Sequence, residues 1–153
     1  MNTGQPMTIL FAEDDPDDRM LLREAIETTP PMCDLRFVED GNDLMDYLRR
    51  RGRYAGKTAA PRPALIMLDL NMPGKDGREA AREIKDDPRL RQIPIVVLTT
   101  SKNEEDVFRL YDLGVNSFLR KPTTFEGLQR LIRKVRDFWL GTAELPTEET
   151  RAV

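Results

Sequence analysis

The sequence contains no histidine and only one cysteine among its 153 residues. Without histidine the chain cannot build a Ser-His-Asp triad, a Cys-His pair or a histidine-ligated zinc site, and it cannot carry a phosphohistidine. The single cysteine, Cys33, excludes an intramolecular disulfide and fits a reducing compartment. With no histidine to activate its thiol, Cys33 is expected to be a buried structural side chain. Any chemistry must therefore use carboxylates, lysine, hydroxyl groups or the backbone.

Long hydrophobic runs are also missing. The apolar runs fall well below the roughly 18 residues that a membrane span needs, and the first residues lack the charged and apolar regions of a signal peptide. The net charge of -3 gives no overall bias toward nucleic acid. We therefore expect a cytoplasmic protein with no membrane and no nucleic-acid partner. A chain of 153 residues corresponds to one domain that folds around one core.

Short apolar segments alternate with amphipathic ones along the chain, a pattern typical of an α/β domain with a parallel sheet. Strands are predicted at 9–12, 35–38, 64–68, 95–98 and 117–119. Helices are predicted at 16–27, 42–51, 78–86, 104–113 and 124–141, and right-handed crossovers leave few topologies for such a sheet. The side chains of the first helix that are predicted to face the core are Met20, Leu21, Leu22, Ala25 and Ile26.

Acidic, hydroxyl and basic side chains follow the predicted strands at their carboxyl ends. They are Glu13, Asp14 and Asp15 after the first strand, Asp69 after the third, Thr99 after the fourth and Lys121 after the fifth. Neighbouring parallel strands lie about 4.8 Å apart, and their carboxyl ends meet at one edge of the sheet, so these side chains should share one pocket. Asp15 precedes Pro16 and is explained as a helix N-cap. Asp69 directly follows an apolar strand and has no such explanation, which favours a functional role.

Carboxylates held this close repel one another, and a hard divalent cation relieves the repulsion. Mg²⁺ takes oxygen ligands in octahedral geometry and is satisfied by one or two carboxylates, a backbone carbonyl and water. A carboxylate beside magnesium can attack a phosphoryl group, while a lysine and a hydroxyl bind the transferred oxygens. The pattern therefore predicts phosphoryl chemistry at Asp69, with an acyl phosphate as its product.

Four motifs in this order resemble the receiver domain of two-component response regulators. They are F-A-E-D-D, L-D-L-N-M-P-G-K-D-G, L-T-T-S and F-L-R-K-P, and the resemblance covers about residues 8–138. It implies a flavodoxin-like (βα)5 three-layer sandwich with strand order 2-1-3-4-5. Residues 1–7 then form an N-terminal extension, 8–140 the receiver domain and 141–153 a C-terminal tail, with no output domain.

The resemblance also implies roles for individual residues. Asp69 matches the phosphoacceptor, and Lys121 matches the lysine that binds the phosphoryl group. Thr99 and Phe118 match the switch hydroxyl and the switch aromatic, which is tyrosine in many relatives. The implied Mg²⁺ ligands are Glu13, Asp14, Asp69 and the backbone carbonyl of Asn71. Glu13 stands where aspartate is common, although glutamate is also frequent there. The resemblance implies a phosphoacceptor that supports its own phosphorylation and slow dephosphorylation, and not an enzyme that turns over a substrate.

The implied partner is a sensor histidine kinase. The motifs look like those of stand-alone regulators paired with bacterial and cyanobacterial phytochromes, which makes a bacteriophytochrome the specific candidate. About 15 residues follow the fifth helix, so the phosphorylated receiver is expected to switch partner binding itself or to relay the phosphate.

Apolar residues predict a homodimer. Phe108 and Tyr111 on helix four, and Phe138 and Trp139 on helix five, flank strand five and exceed the apolar area that an isolated domain usually exposes. We expect pairing through the face of helix four, strand five and helix five, embraced by the tail 141–153. The alternative is that Trp139 folds back onto its own domain.

Two further interpretations stay open. Asp69-Leu70-Asn71 is a near miss to the D-x-D nucleophile of haloacid-dehalogenase-type phosphatases, but those place the motif after the first strand and Asn71 cannot act as the general acid. The segment 49–63 carries several basic residues and no acidic one, which would suit nucleic acid. Only Tyr47 and Tyr54 accompany them, and a solvated basic loop is the favoured explanation. The bases are Arg49, Arg50, Arg51, Arg53, Lys57 and Arg62.

Overall fold

The computed structural model describes residues 7–27, 33–56, 59–100 and 103–146. Its strands form one parallel sheet in the order β2-β1-β3-β4-β5, which confirms the predicted topology. The strands are β1 (Thr8–Ala12), β2 (Asp34–Val38), β3 (Leu65–Leu68), β4 (Ile95–Thr99) and β5 (Ser117–Arg120). The helices are α1 (Pro16–Glu27), α2 (Gly41–Arg49), α3 (Gly77–Asp86), α4 (Glu104–Leu113) and α5 (Phe125–Gly141), with a 3₁₀ turn at Gly52–Tyr54.

The predicted boundaries agree with the observed ones to within two residues, and α2 differs most. This helix starts earlier than predicted because the Asp40 side chain accepts a hydrogen bond from the Asp43 N–H and caps it. It ends earlier because Arg50 takes a left-handed backbone with a φ of 53°. Three predicted features lie outside the described residues: most of the N-terminal extension, the turn at 28–31 and the end of the tail from 147 to 153.

The sheet is covered on both faces, and side chains along each strand alternate between them. Leu10, Ile66 and Val97 pack in the core beneath α2, α3 and α4. Ile9 and Met67 pack in the opposite core, beneath α1 and α5. The continuous apolar strands of the sequence therefore serve two cores, as the predicted three-layer sandwich requires.

Helix α1 contacts the core through one narrow stripe. Leu22, Ala25 and Ile26 are buried, as predicted, but Met20 is 66% exposed, so its predicted inward position is wrong. Two residues correspond to about 200° of helix rotation, which places Met20 on the side opposite Leu22.

Cys33 precedes β2 and is half-buried against the α1 and α5 side of the core, where the sequence predicted a buried side chain. Burial raises the pKa of its thiol, which lowers the thiolate fraction at neutral pH.

The helix N-termini lie at the edge of the sheet where the strands end. The side chains of Asp15, Asp76, Asn103 and Thr124 cap α1, α3, α4 and α5 by accepting backbone N–H hydrogen bonds. These caps fix the starts of the helices, and helix N-termini favour negative charge nearby. No helix among the described residues is long and apolar enough to cross a membrane.

Candidate functional site

The strand ends bring the predicted acidic residues together. The Asp69 N–H donates to the Ala12 carbonyl at 3.1 Å, and the Glu13 N–H donates to the Val38 carbonyl at 3.0 Å, so the strand pairing continues into the site. Carboxylate oxygens of Glu13, Asp14 and Asp69 lie within 4.8 Å of one another. We call these three residues the acid cluster.

The three residues of the acid cluster differ in their exposure to solvent. Glu13 is 3% exposed and Asp69 is 9% exposed, whereas Asp14 is open to solvent. The cluster therefore has a buried floor and an accessible mouth, which lets a small charged species enter from solvent and meet carboxylates of restricted mobility.

Lys121 reaches the floor of the site from the end of β5. Its ammonium nitrogen lies 2.5 Å from Glu13 Oε1, 3.0 Å from Asp18 Oδ2 and 3.4 Å from Asp69 Oδ2. The Lys121 N–H also donates to the Thr99 carbonyl at 2.9 Å, which holds the lysine beside β4. The structure thus places Lys121 where the sequence predicted it, with one partner that the sequence analysis did not identify.

Asp18 is that additional partner. Asp18 lies in the first turn of α1, four residues before the buried Leu22, and this one-turn spacing from the core-facing stripe was the signal that could have identified it. The sequence predicted the site from residues at the strand ends, whereas Asp18 belongs to a helix.

Thr99 and Asn71 form the other side of the site. Thr99 is fully buried, and its hydroxyl lies 3.4 Å from the Asn71 side-chain amide, which donates to it. The Asn71 N–H donates to Asp69 Oδ1 at 3.2 Å. The sequence assigned a role only to the Asn71 backbone carbonyl, whereas in the structure its backbone N–H also contacts Asp69 and its side chain contacts Thr99.

Two glycines hold the loop after Asp69 in place. A Cβ on Gly77 would clash with the Asp69 carbonyl and with Leu70, and a Cβ on Gly41 would clash with the Lys75 carbonyl. The Gly41 N–H donates to that same carbonyl at 2.9 Å. The missing side chains therefore let α2 and α3 approach the loop closely and restrict its position.

Phe118, the predicted switch aromatic, is half-buried on the edge strand β5. It packs against the core beneath α2, α3 and α4. Its N–H donates to the Tyr111 hydroxyl of α4 at 3.1 Å, so the edge strand is bonded to the neighbouring helix.

Burial and charge shift the titration of the two most deeply placed groups. Burial raises the pKa of Glu13, and the hydrogen bond from Lys121 offsets only part of this effect. For Lys121 burial acts to lower the pKa, but the hydrogen bond to Glu13 and the charge of Asp69 outweigh it, so the pKa of Lys121 is raised. The nearby Asp69 charge also raises the pKa of Glu13, as the like-charge argument predicts, but burial is the larger cause.

A raised Glu13 pKa predicts a pH-dependent stability in metal-free buffer. Above pH 4.5 the unfolded chain loses this proton while the folded chain still holds it, so the free energy of unfolding falls as pH rises through the folded pKa. The fall is at most about 1.4 kcal/mol per pH unit. Urea unfolding of the wild type and of Glu13→Gln across this range isolates the effect, since the variant cannot titrate. Identical pH dependence in both proteins would contradict it.

The donor set of the acid cluster fits a divalent metal ion. Its three carboxylates offer only oxygen ligands, the kind that hard divalent cations prefer, and the open side at Asp14 leaves room for water. A parallel (βα)5 sheet with this cluster, a buried threonine and a lysine at its carboxyl edge defines a phosphoacceptor signalling domain that binds a divalent metal.

The chain belongs to the response regulator receiver domain family, whose sequence pattern matches residues 9–133. The family consists of phosphoacceptor signalling proteins of two-component systems and not of phosphatases, so the haloacid-dehalogenase interpretation is wrong.

Individual relatives are similar to this chain over nearly its whole length. The chain is 43% identical to the response regulator Rcp1 of Synechocystis sp., over 94% of this chain and 96% of that one. The crystal structure of the phosphorylated cyanobacterial phytochrome response regulator RcpA matches with a TM-score of 0.87 at 44% identity, covering 93% of this chain and 99% of that one. The Mn²⁺-bound form of Rcp1 matches with a TM-score of 0.86 at 43% identity, covering 93% and 100%.

Several arginine side chains of segment 49–63 form ion pairs within the molecule. Arg49 bonds to Glu83 of α3 at 2.9 Å. Arg51 bonds to Asp46 and Arg53 bonds to Asp43, both on α2. These pairs neutralise part of the positive charge that binding to nucleic acid would use, while Lys57 lies outside the described residues.

Proposed function

We propose that Asp69 accepts a phosphoryl group from a sensor histidine kinase in the presence of Mg²⁺, and that the phosphorylated domain switches partner binding or relays the phosphate. One observation carries this proposal. Asp69 lies at the floor of an acid cluster that fits a metal ion, 3.4 Å from the ammonium of Lys121. Asn71 links it to Thr99, because the Asn71 N–H donates to Asp69 and the Asn71 side-chain amide donates to the Thr99 hydroxyl. Nucleophile, cation and hydroxyl thus converge on one position.

The chemistry follows from these side chains. A carboxylate oxygen of Asp69 attacks phosphorus, a new O–P bond forms, and the bond from phosphorus to the donor imidazole nitrogen breaks, leaving the electron pair on that nitrogen. Lys121 then pairs with one phosphoryl oxygen and the Thr99 hydroxyl with another. Glu13, Asp14, Asp69 and the Asn71 carbonyl would hold Mg²⁺, which when bound supplies positive charge against the transferring oxygens.

The bond between Asn71 and Thr99 supports a switch role for Thr99. If the Thr99 side chain rotates toward a phosphoryl oxygen, its hydroxyl oxygen moves and the 3.4 Å hydrogen bond from the Asn71 amide changes in length. Thr99 ends β4 next to β5, so its movement reaches the half-buried Phe118, which turns inward.

Thr99→Ala tests this switch. The variant should accept a phosphoryl group at Asp69 but respond poorly, because the hydroxyl that senses the group is gone. Phosphorylation measured by phosphate-affinity electrophoresis should stay within a few-fold of wild type, while NMR shift changes at Phe118 should be largely lost. Thr123→Ala, at an exposed threonine before α5, is the matched control. Normal shifts at Phe118 in Thr99→Ala would contradict the coupling.

The partner kinase is proposed to be of the phytochrome class, on the strength of the similarity to RcpA over nearly the whole chain. We place the exchange in the cytoplasm, in keeping with the single cysteine. The exposed Met20 on α1, the helix that also carries Asp18, supports docking of the kinase on that helix. Phosphotransfer profiling against candidate histidine kinases tests the pairing, and preferential transfer from non-phytochrome kinases would overturn it.

A homodimer through α4, β5 and α5 is the second part of the proposal. Phe108 is 74% exposed, Tyr111 49% and Phe138 53%, and these are among the largest exposed apolar side chains of the described residues. Trp139 is half-buried and packs against its own core, with its ring edge on Phe138, so the fold-back alternative describes this residue better. The proposed interface therefore rests on Phe108, Tyr111 and Phe138.

Phe108→Glu should weaken this dimer by at least about tenfold, since it places a charge in an apolar interface. Sedimentation velocity at micromolar concentration, with and without phosphorylation, measures the effect. Met20→Glu makes the same change at a comparably exposed residue of α1 and should leave the dimer intact. A wild type that is monomeric in both states would refute the proposal.

A further inference from the structure

We propose that Asp18 is a positioning residue that orients Lys121 toward the phosphoryl group, an inference that rests on the proposed function of Asp69. It lies on α1, outside the set of strand-end residues that the receiver motifs identify. Its carboxylate oxygen Oδ2 lies 3.0 Å from the Lys121 ammonium, closer than Asp69 does.

The ammonium of Lys121 uses all three of its donors. One donor bonds to Glu13, one to Asp18 and one to Asp69. With Asp18 and Glu13 holding two donors, the third points at Asp69, where the phosphoryl group forms. Lys121 can therefore pass from the Asp69 carboxylate to a phosphoryl oxygen without a new side-chain orientation.

Asp18 differs from the other two partners because it does not belong to the acid cluster. Of the described acidic residues, Glu13, Asp14 and Asp69 have oxygens close enough together for one metal ion, and Asp18 is not among them. Metal ligation would engage Glu13 and Asp69, and phosphorylation would modify Asp69. Asp18 is then the carboxylate partner of Lys121 that neither event uses.

The position of Asp18 is fixed by rigid neighbours. Its N–H is directed at the capping oxygen of Asp15 at 3.4 Å, in the first turn of α1. Arg19, the next residue, donates from Nε to the Glu13 carbonyl at 2.6 Å and joins α1 to the end of β1. A short side chain on a capped helix can hold a flexible lysine at low entropic cost, and such preorganisation favours binding of the phosphoryl oxygens.

Asp17 provides a matched control. It precedes Asp18 in the same helical turn and is exposed, and its carboxylate forms no ion pair within the described residues. Asp17→Asn therefore removes the same charge from the same turn without touching Lys121. Any effect of Asp18→Asn beyond that of Asp17→Asn is specific to the contact with Lys121.

Beryllofluoride, a mimic of the phosphoryl group, provides the test. Titrations of the whole chain with Mg²⁺ present should show that Asp18→Asn binds beryllofluoride about threefold to fivefold more weakly than Asp17→Asn, the range of a partly exposed ion pair. Mg²⁺ affinity without beryllofluoride should be equal in the two variants. In a Lys121→Ala background the difference between them should disappear.

Three results would overturn the inference. The first is equal or tighter beryllofluoride binding by Asp18→Asn, and the second is a difference that persists without Lys121. The third is a wild type that does not bind beryllofluoride at Asp69, which would remove the proposed function as well. A wild type that binds normally while Asp18→Asn and Asp17→Asn remain equal would remove only the role of Asp18.

Discussion

Asp69→Asn should abolish phosphorylation by acetyl phosphate or by a phosphorylated kinase, with label reduced by at least about a hundredfold. The amide is not a nucleophile, and Asp69 is the carboxylate that we expect to react, because it contacts the Lys121 ammonium and is linked through Asn71 to the Thr99 hydroxyl. The fold should survive, because the change removes a charge from a site already rich in carboxylates. Radiolabelling or phosphate-affinity electrophoresis measures the loss.

Asp17→Asn is the control for this substitution, since it changes an exposed aspartate outside the site and should label like the wild type. Substantial label remaining on Asp69→Asn would mean that another residue is the acceptor. Loss of label from both variants would point to a general charge effect on the approach of the phosphodonor.

Asp14→Ala should lose the metal and yet be no less stable than the wild type in metal-free buffer. Asp14 is an exposed member of the acid cluster, so its removal deletes a ligand and relieves repulsion at once. In the wild type, Mg²⁺ at a hundred times its Kd should add about 2.7 kcal/mol to the free energy of unfolding by mass action. Urea unfolding with EDTA and with Mg²⁺ should show this gain in the wild type and almost none in the variant.

A clear destabilisation of Asp14→Ala in EDTA would mean that the acid cluster is a structural network and not a metal site. Asp17→Asn again serves as the comparison, and it should keep the full gain from Mg²⁺. Phosphorylation of Asp14→Ala should fall along with its metal affinity.

The grouping of the site residues at one edge of the sheet was predictable from the sequence, because the strands of a parallel sheet all end at the same edge. Asp69 directly follows an apolar strand, and parallel strands deliver their carboxyl ends to one edge. The position of Glu13 and Lys121 beside Asp69 followed from the same rule. That β1 and β3 are neighbours came from the strand order that the receiver resemblance implied, and no knowledge of the side-chain rotamers was needed.

Side-chain direction on helices was less predictable. Asp18 was not singled out and Met20 was placed in the core, although a separation of two residues puts them on opposite sides of α1. Both errors have the same cause, because the apolar or acidic character of these residues was considered without their angular positions around the helix axis. At 3.6 residues per turn, the buried stripe of Leu22, Ala25 and Ile26 assigns Met20 to the outer side.

The cause of the pKa shift at the site could not be predicted from the sequence alone. Repulsion between the clustered carboxylates was expected from the sequence. The pKa of Glu13 is raised, but burial contributes more to this than the charge of Asp69 does. Depth of burial depends on how the covering helices and loops pack, which the linear pattern does not contain. The same holds for Trp139, whose contacts with its own core depend on the angle at which α5 crosses the sheet.

Mapping the phosphorylated residue in the wild type tests the central claim most directly. The protein is treated with acetyl phosphate and Mg²⁺, the acyl phosphate is reduced with borohydride, and peptides are sequenced by mass spectrometry. The account predicts one phosphoryl group per chain, one modified position at Asp69, and no modification when EDTA replaces Mg²⁺. Modification at any other residue, or an unmodified Asp69 in a protein that carries phosphate, would contradict it.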